Sequence, residues 1–150
     1  MHYEKYKINP AKVLAFSSIV YAVLLISCNN NFDLGQGYEI TTTSMNCRAI
    51  GKPINYAAMR IPVNGHVFRW NYDEHFIVAI QMPQDSLMQY VITNNFYWHE
   101  MDSLAEITNI RQFYLIDKTK DKTYGPMDST QYSRVRAQLH VHDTLQPRHF

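Results

Sequence analysis

The hydrophobic pattern divides the chain at Cys28. Upstream, Val13 to Ile26 is apolar except for Ser17 and Ser18, behind a leader carrying Lys5, Lys7 and Lys12 against one Glu4. As a helix this run rises about 21 Å, short of the ~30 Å hydrocarbon core, which predicts a signal-peptide core rather than a permanent span. Downstream the period changes to two. Tyr38-Glu39-Ile40-Thr41-Thr42-Thr43 is β-branched and aromatic and predicts a strand, with Met45 to Ile50 as its partner and Gly51-Lys52-Pro53 as a break. Between His66 and Tyr72, Phe68, Trp70 and Tyr72 alternate with Arg69 and Asn71, so one face of a strand should carry all three aromatics. Asp73-Glu74 turns the chain into His75-Phe76-Ile77-Val78-Ala79-Ile80-Gln81, apolar on both faces as a central strand is.

Leu87 to Ile92 reads as a strand and Asp102 to Ile107 as a turn of helix. Both fall in an excursion from Met82 to Asn109 of the kind where small domains place binding surfaces. Gln112 to Asp117 is a further strand, returned by Lys118-Thr119-Lys120-Asp121-Lys122 towards Gly125-Pro126, and the charged run reads as a solvated hairpin tip. Asp128 and Gln131 have the spacing of a helix-opening capping box. Tyr132, Val135 and Leu139 then form one apolar stripe, with Arg134, Arg136 and Gln138 expected to point outward. His140 to Leu145 reads as a short closing strand.

These elements predict an α+β domain: an antiparallel sheet of about four to six strands with one C-terminal amphipathic helix packed on a face. The expected organisation is a lipoprotein signal peptide over 1–27 and a lipidated cysteine with its tether over 28–36. One small domain follows over 37–146, with a frayed tail at 147–150. A chain of 150 residues suits one domain with a core of its own.

The junction carries the most specific chemistry. Leu25-Ile26-Ser27-Cys28 matches the lipobox read by prolipoprotein-processing enzymes. Small Ser27 fits the peptidase at the cut, and only a thiol at Cys28 can take the diacylglyceryl thioether. Two or three acyl chains give stable anchoring where one is marginal. The membrane, through lipid on Cys28, is therefore an expected partner. Asn29 follows rather than aspartate, and no acidic cluster comes after it. The expected location is thus the cell envelope, on the outer membrane facing the periplasm.

Charge and cysteine usage narrow the rest. The formal charge of +1 becomes −1 after cleavage, with 11 basic against 12 acidic residues. A surface this neutral excludes a nucleic-acid partner. With Cys28 acylated, Cys47 has no disulfide partner and reads as a small core residue. His140-Val141-His142 would put two imidazoles on one side of an extended segment, near Asp143 and His149, but a third ligand is not identifiable. His99-Glu100-x-Asp102 lacks the second helical histidine of a zincin. No Gly-x-Ser-x-Gly elbow or phosphate loop is present, so no catalytic, metal or cofactor-binding residue is assigned and no cofactor is expected. Phe96-Tyr97-Trp98 has two readings, core packing or a partner surface for an envelope protein or glycan. Alternation in a strand would leave at least one of the three outward.

Phe76-Ile77-Val78-Ala79, then Phe113-Tyr114-Leu115-Ile116-Asp117-Lys118, Tyr124-Gly125-Pro126-Met127 and a helix bearing Tyr132 resemble a family of short bacterial lipoproteins catalogued only as a domain of unknown function. The shared features are the lipobox, a Gly37-Tyr38 opening strand, the hairpin and the closing helix, over about residues 35–140. The resemblance implies a fold and a location but no activity. The expected function is a non-enzymatic, lipid-anchored binding or interaction module. The alternative is a small envelope hydrolase or metal-binding protein using histidines near 99 or 140–149.

Overall fold

The computed structural model describes residues 31–43, 47–94 and 100–149. The predicted signal peptide, Cys28 and the Phe96-Tyr97-Trp98-His99 segment lie outside them. Two four-stranded antiparallel sheets stand where one was expected. The first runs in simple order: β1 (Phe32–Gly35), β2 (Tyr38–Thr42), β3 (Arg48–Asn55) and β4 (Ala58–Val63). The second is β5 (His66–Tyr72), β6 (Phe76–Met82), β7 (Gln112–Asp117) and β8 (Lys122–Met127), again each beside the next. Among the described residues three helices accompany the sheets: α1 (Gln84–Asn94), α2 (Met101–Ile107) and α3 (Ser129–Gln138). The fold is α+β, as the periodicity implies. No helix of the described residues is long and apolar enough to cross a membrane.

Period-two burial builds three layers. Ile77 and Ala79 of β6 and Tyr114 and Ile116 of β7 share one buried cluster with Leu34, Tyr38, Ile40, Ile50 and Val63 of the first sheet. The alternate residues Val78, Ile80 and Leu115 face the other way, into clusters with the helices. The central strands β6 and β7 are thus buried on both faces, which is why they read as continuous apolar runs. In β5 the register slips between Val67 and Arg69. This bulge sends Phe68 to the helix side with Leu87 and Leu104, while Trp70 goes to the sheet side. The expected single aromatic face is therefore split, because one extra residue reverses the phase of a strand.

Other local readings change for physical reasons. Leu87 to Ile92 is helical: Leu87 and Val91, one turn apart, are buried, and Pro83 and Asp85 stand at the start of the helix. Gly51-Lys52-Pro53 does not break the chain but lies within β3. A Cβ at Gly51 would run into Met59 Sδ. Phe32–Gly35, placed in the tether, pairs with β2, so the ordered fold starts earlier than the sequence boundary. At the other end Arg148 exchanges backbone hydrogen bonds with Trp70 (3.1 and 3.2 Å), so the expected tail is held on the edge of β5. His140 to Leu145 is a succession of turns rather than a strand.

The closing helix opens as expected: Asp128 accepts from Gln131 N (2.7 Å) and Gln131 Oε1 accepts from Asp128 N (3.1 Å). Its stripe differs. Tyr132 and Arg136 are the buried residues, whereas Val135 and Leu139 are half-buried. Arg136 points inward because its guanidinium donates to Tyr132 Oη (3.0 Å), Leu145 O (2.5 Å) and His142 O (2.9 Å). It closes the turns that follow the helix. Arg136→Ala would strand two carbonyls and should cost about 2–4 kcal/mol. Leu139→Ala, at a half-buried position, should cost about 1–2 kcal/mol. Denaturant titration of the two variants checks the order.

Candidate functional site

Polar side chains gather in two places. The first is the end of the molecule where hairpin turns meet. Asp117, buried at the end of β7, accepts from Thr119 Oγ1 (2.7 Å) and from the backbone N–H of Thr119 and Lys120 (both 3.1 Å). Burial pushes its carboxyl up, but the Thr119 hydroxyl and the ammonium and backbone N–H of Lys120 outweigh burial and hold it below the usual range. The folded turn directs Lys118 inward, where it is only 4% exposed. Its ammonium donates to Leu34 O (2.8 Å) in β1 and Asp73 O (2.5 Å) in the β5–β6 turn. Burial shifts its pKa downward.

Asp121 completes the turn in the left-handed region, at φ 51°, which aspartate tolerates better than most residues. Its Oδ1 accepts from Lys52 Nζ (2.7 Å), Tyr38 Oη (2.6 Å) and Arg60 (2.6 Å), one from each of β3, β2 and β4. Lys52, Tyr38 and Arg60 together hold its carboxyl well below the usual range. Burial, with Asp121 beside it, raises Tyr38 to about 12. The charged run is thus solvated over Thr119 to Lys122, as its composition implies, but Lys118 is buried and Asp121 is bonded to three strands of the first sheet.

The second place is the seam between β5 and α2. The bulge leaves His66 and Arg69 facing the helix. Asp102 and Glu106, one helical turn apart, meet them. His66 Nε2 lies 2.8 Å from Asp102 Oδ1, and Arg48 also pairs with Asp102. Arg69 grips Glu106 with two bonds (2.8 and 2.6 Å), and His149 approaches the same carboxylate at 2.9 Å. His66 and Arg48 lower Asp102, and Arg69 lowers Glu106. His66 Nδ1 is buried with no hydrogen-bond partner among the described residues. Nearby Cys47 is buried, 3.9 Å from Met101 Sδ, and burial raises its pKa. A thiol held protonated is a poor nucleophile.

The family model described as "Protein of unknown function (DUF3997)" matches residues 35–148. The chain belongs to this family. No curated protein and no solved structure matches it. The boundaries of the DUF3997 match make structural sense: Gly35, at φ 83°, opens the β1–β2 turn beside Lys118, and Arg148 is the residue bridged to β5. The sequence features that carry the resemblance also meet in space, since the Tyr38 hydroxyl lies on Asp121. Gly125, at φ 136°, has a reason of its own: a Cβ there would come within 2.8 Å of Phe113 O.

Of the histidines considered for metal, His99 lies outside the described residues, and His140, His142 and His149 are not gathered at one point. His140 takes a left-handed conformation, His142 Nδ1 pairs with Thr144 Oγ1 (2.7 Å), and His149 goes to Glu106. Among the described residues no group of three His, Cys, Asp or Glu could hold a metal ion. The His66–Asp102 contact was missed in the sequence because the partners are 36 positions apart and meet only through the bulge. Asp102, Glu106 and Asp121 all have depressed folded-state pKa values. Each stabilises the fold above the unfolded carboxylate pKa of about 4, and that stability is lost as pH falls through the folded value. The melting temperature should hold from neutral pH to about 5 and fall below about 4. The fall should be shallower in Glu106→Gln/Asp121→Asn, already less stable at pH 7.

Proposed function

We propose that this DUF3997 protein is a lipid-anchored envelope protein that works as a non-enzymatic interaction module. The observation that carries the reading is the Leu25-Ile26-Ser27-Cys28 lipobox behind a short apolar run, with the folded domain starting at Phe32. Three residues, 29–31, separate the acylated cysteine from the first strand, four Cα steps with a reach of about 14 Å at most. The domain would then sit close to the membrane surface rather than at the end of a long stalk.

A non-enzymatic role is supported by how the polar groups are used. Asp102, Glu106, Asp117, Asp121, Lys118 and Arg136 are each taken up in contacts that hold elements together. The surface also has apolar features around α1 and α2. Ile92 of α1 is 71% exposed, and Ile107 and Ile110 are exposed beyond it. Ile110 also lines a shallow cavity of about 240 Å³ with Tyr90, Gln89 and Thr93. These residues flank the segment holding Phe96, Tyr97 and Trp98, so a partner surface there is the proposal's second element.

Cys28→Ser should yield an unlipidated precursor that leaves the detergent phase, read by phase partition and intact mass. A mature N-terminus that is unacylated, or that starts elsewhere, contradicts the anchor. Ile92→Asp/Ile110→Asp should weaken crosslinking to envelope partners several-fold while shifting the melting temperature little, since both side chains are exposed. Unchanged crosslinking contradicts the second element.

A further inference from the structure

The hairpin between β3 and β4 stands out of the first sheet. β2 pairs with β3 only as far as Glu39 opposite Gly51, while β3 and β4 pair on to Asn55 opposite Ala58. Beyond Lys52 the hairpin is a two-stranded finger about 10 Å long. Pro53, Ile54, Asn55, Tyr56, Ala57 and Ala58 are all exposed. Ile54 is 68% exposed and Tyr56 fully so. No charged residue lies between Lys52 and Arg60. Asn55 Oδ1 accepts from Ala57 N (2.9 Å), so the turn satisfies part of its own backbone.

We propose that this finger dips into the lipid surface to which Cys28 is anchored, an inference that rests on the anchor reading above. Three observations favour lipid over a protein partner or a second copy. The finger is convex and small, whereas a stable protein interface buries about 800 Å² on each side. Its tip pairs an aliphatic side chain with a tyrosine, a combination suited to the boundary between acyl chains and headgroups. The nearest charges, Lys52 and Arg60, lie at its base, fixed there by Asp121, at the level of anionic headgroups.

The reach also fits. Phe32 pairs with Ile40, which pairs with Ile50. The tip is therefore about 10 Å across the sheet and about 17 Å along it from the point where the chain enters. A tether of about 14 Å lets the acyl chains and the tip meet one plane. Neither contact need be strong alone, because anchoring raises the local concentration of the finger at the membrane.

The test uses the full lipidated chain carrying Ala57→Cys, labelled with a polarity-sensitive fluorophore, on vesicles of phosphatidylethanolamine and phosphatidylglycerol. Cys28 is acylated and Cys47 buried, which directs the label to position 57. Protein that floats with the vesicles should show a blue-shifted label, quenched several-fold by a quencher placed in the acyl chains. A label at Lys120→Cys should stay water-like. Adding Ile54→Asp should return position 57 to the aqueous signal without moving the melting temperature. Floated protein with a water-like label at 57 overturns the inference alone. Protein that does not float overturns the anchor reading and this inference with it. A blue shift that is the same without vesicles points to a second copy and also overturns it.

Discussion

Lys118 and Asp121, three residues apart in one turn, connect two sheets that share no backbone ladder. Burial between the sheets supplies most of the attraction, through Tyr38, Ile50, Ile77 and Ile116 among others. That attraction is non-directional, so it favours contact without selecting one orientation. The turn adds direction. The Lys118 ammonium reaches the Leu34 carbonyl, and the Asp121 carboxylate collects donors from three successive strands. Bonds to charged groups contribute about 1.5–3 kcal/mol each where they are shielded, and less at the half-exposed Asp121. A displaced first sheet would leave the Lys118 ammonium buried without its carbonyl, a cost that apolar packing cannot make good.

The same arrangement accounts for what could be read from the chain. The second sheet was legible because consecutive hairpins obey local rules: β6 and β7 are apolar on both faces, and Asp128 with Gln131 announces α3. The first sheet was only partly so. Its β1 hides in a polar, glycine-bearing segment, and β4 was not anticipated in a stretch interrupted by Pro62 at an edge strand. Leu87 to Ile92, which ends in β-branched Val91 and Ile92, read as a strand where tertiary packing of Leu87 and Val91 makes a helix. Lys118 and Arg136 were assigned to solvent because charge normally belongs there. Their backbone-carbonyl partners lie in β1, in the β5–β6 turn and in the turns after α3, and leave no pattern in the sequence.

The sites divide in the same way. The proposed lipobox, Leu25 to Cys28, is contiguous, so it is legible without a fold. The α2–β5 seam depends on a one-residue bulge, without which His66 and Arg69 would lie on opposite faces and only one could meet the carboxylates on α2. Both polar centres tie elements of the fold together. The most exposed of the large apolar side chains sit at two edges: the isoleucines near α1 and α2, and the β3–β4 finger.

The claim that the turn orients the first sheet is tested most directly by amide hydrogen exchange on Lys118→Met, which keeps the stem of the side chain but removes the ammonium. The account predicts selective loss of protection in β1, β2 and β3, with β6 and β7 keeping theirs, because only the first sheet loses its attachment. Protection lost equally across both sheets, or retained in β1 to β3, would contradict it.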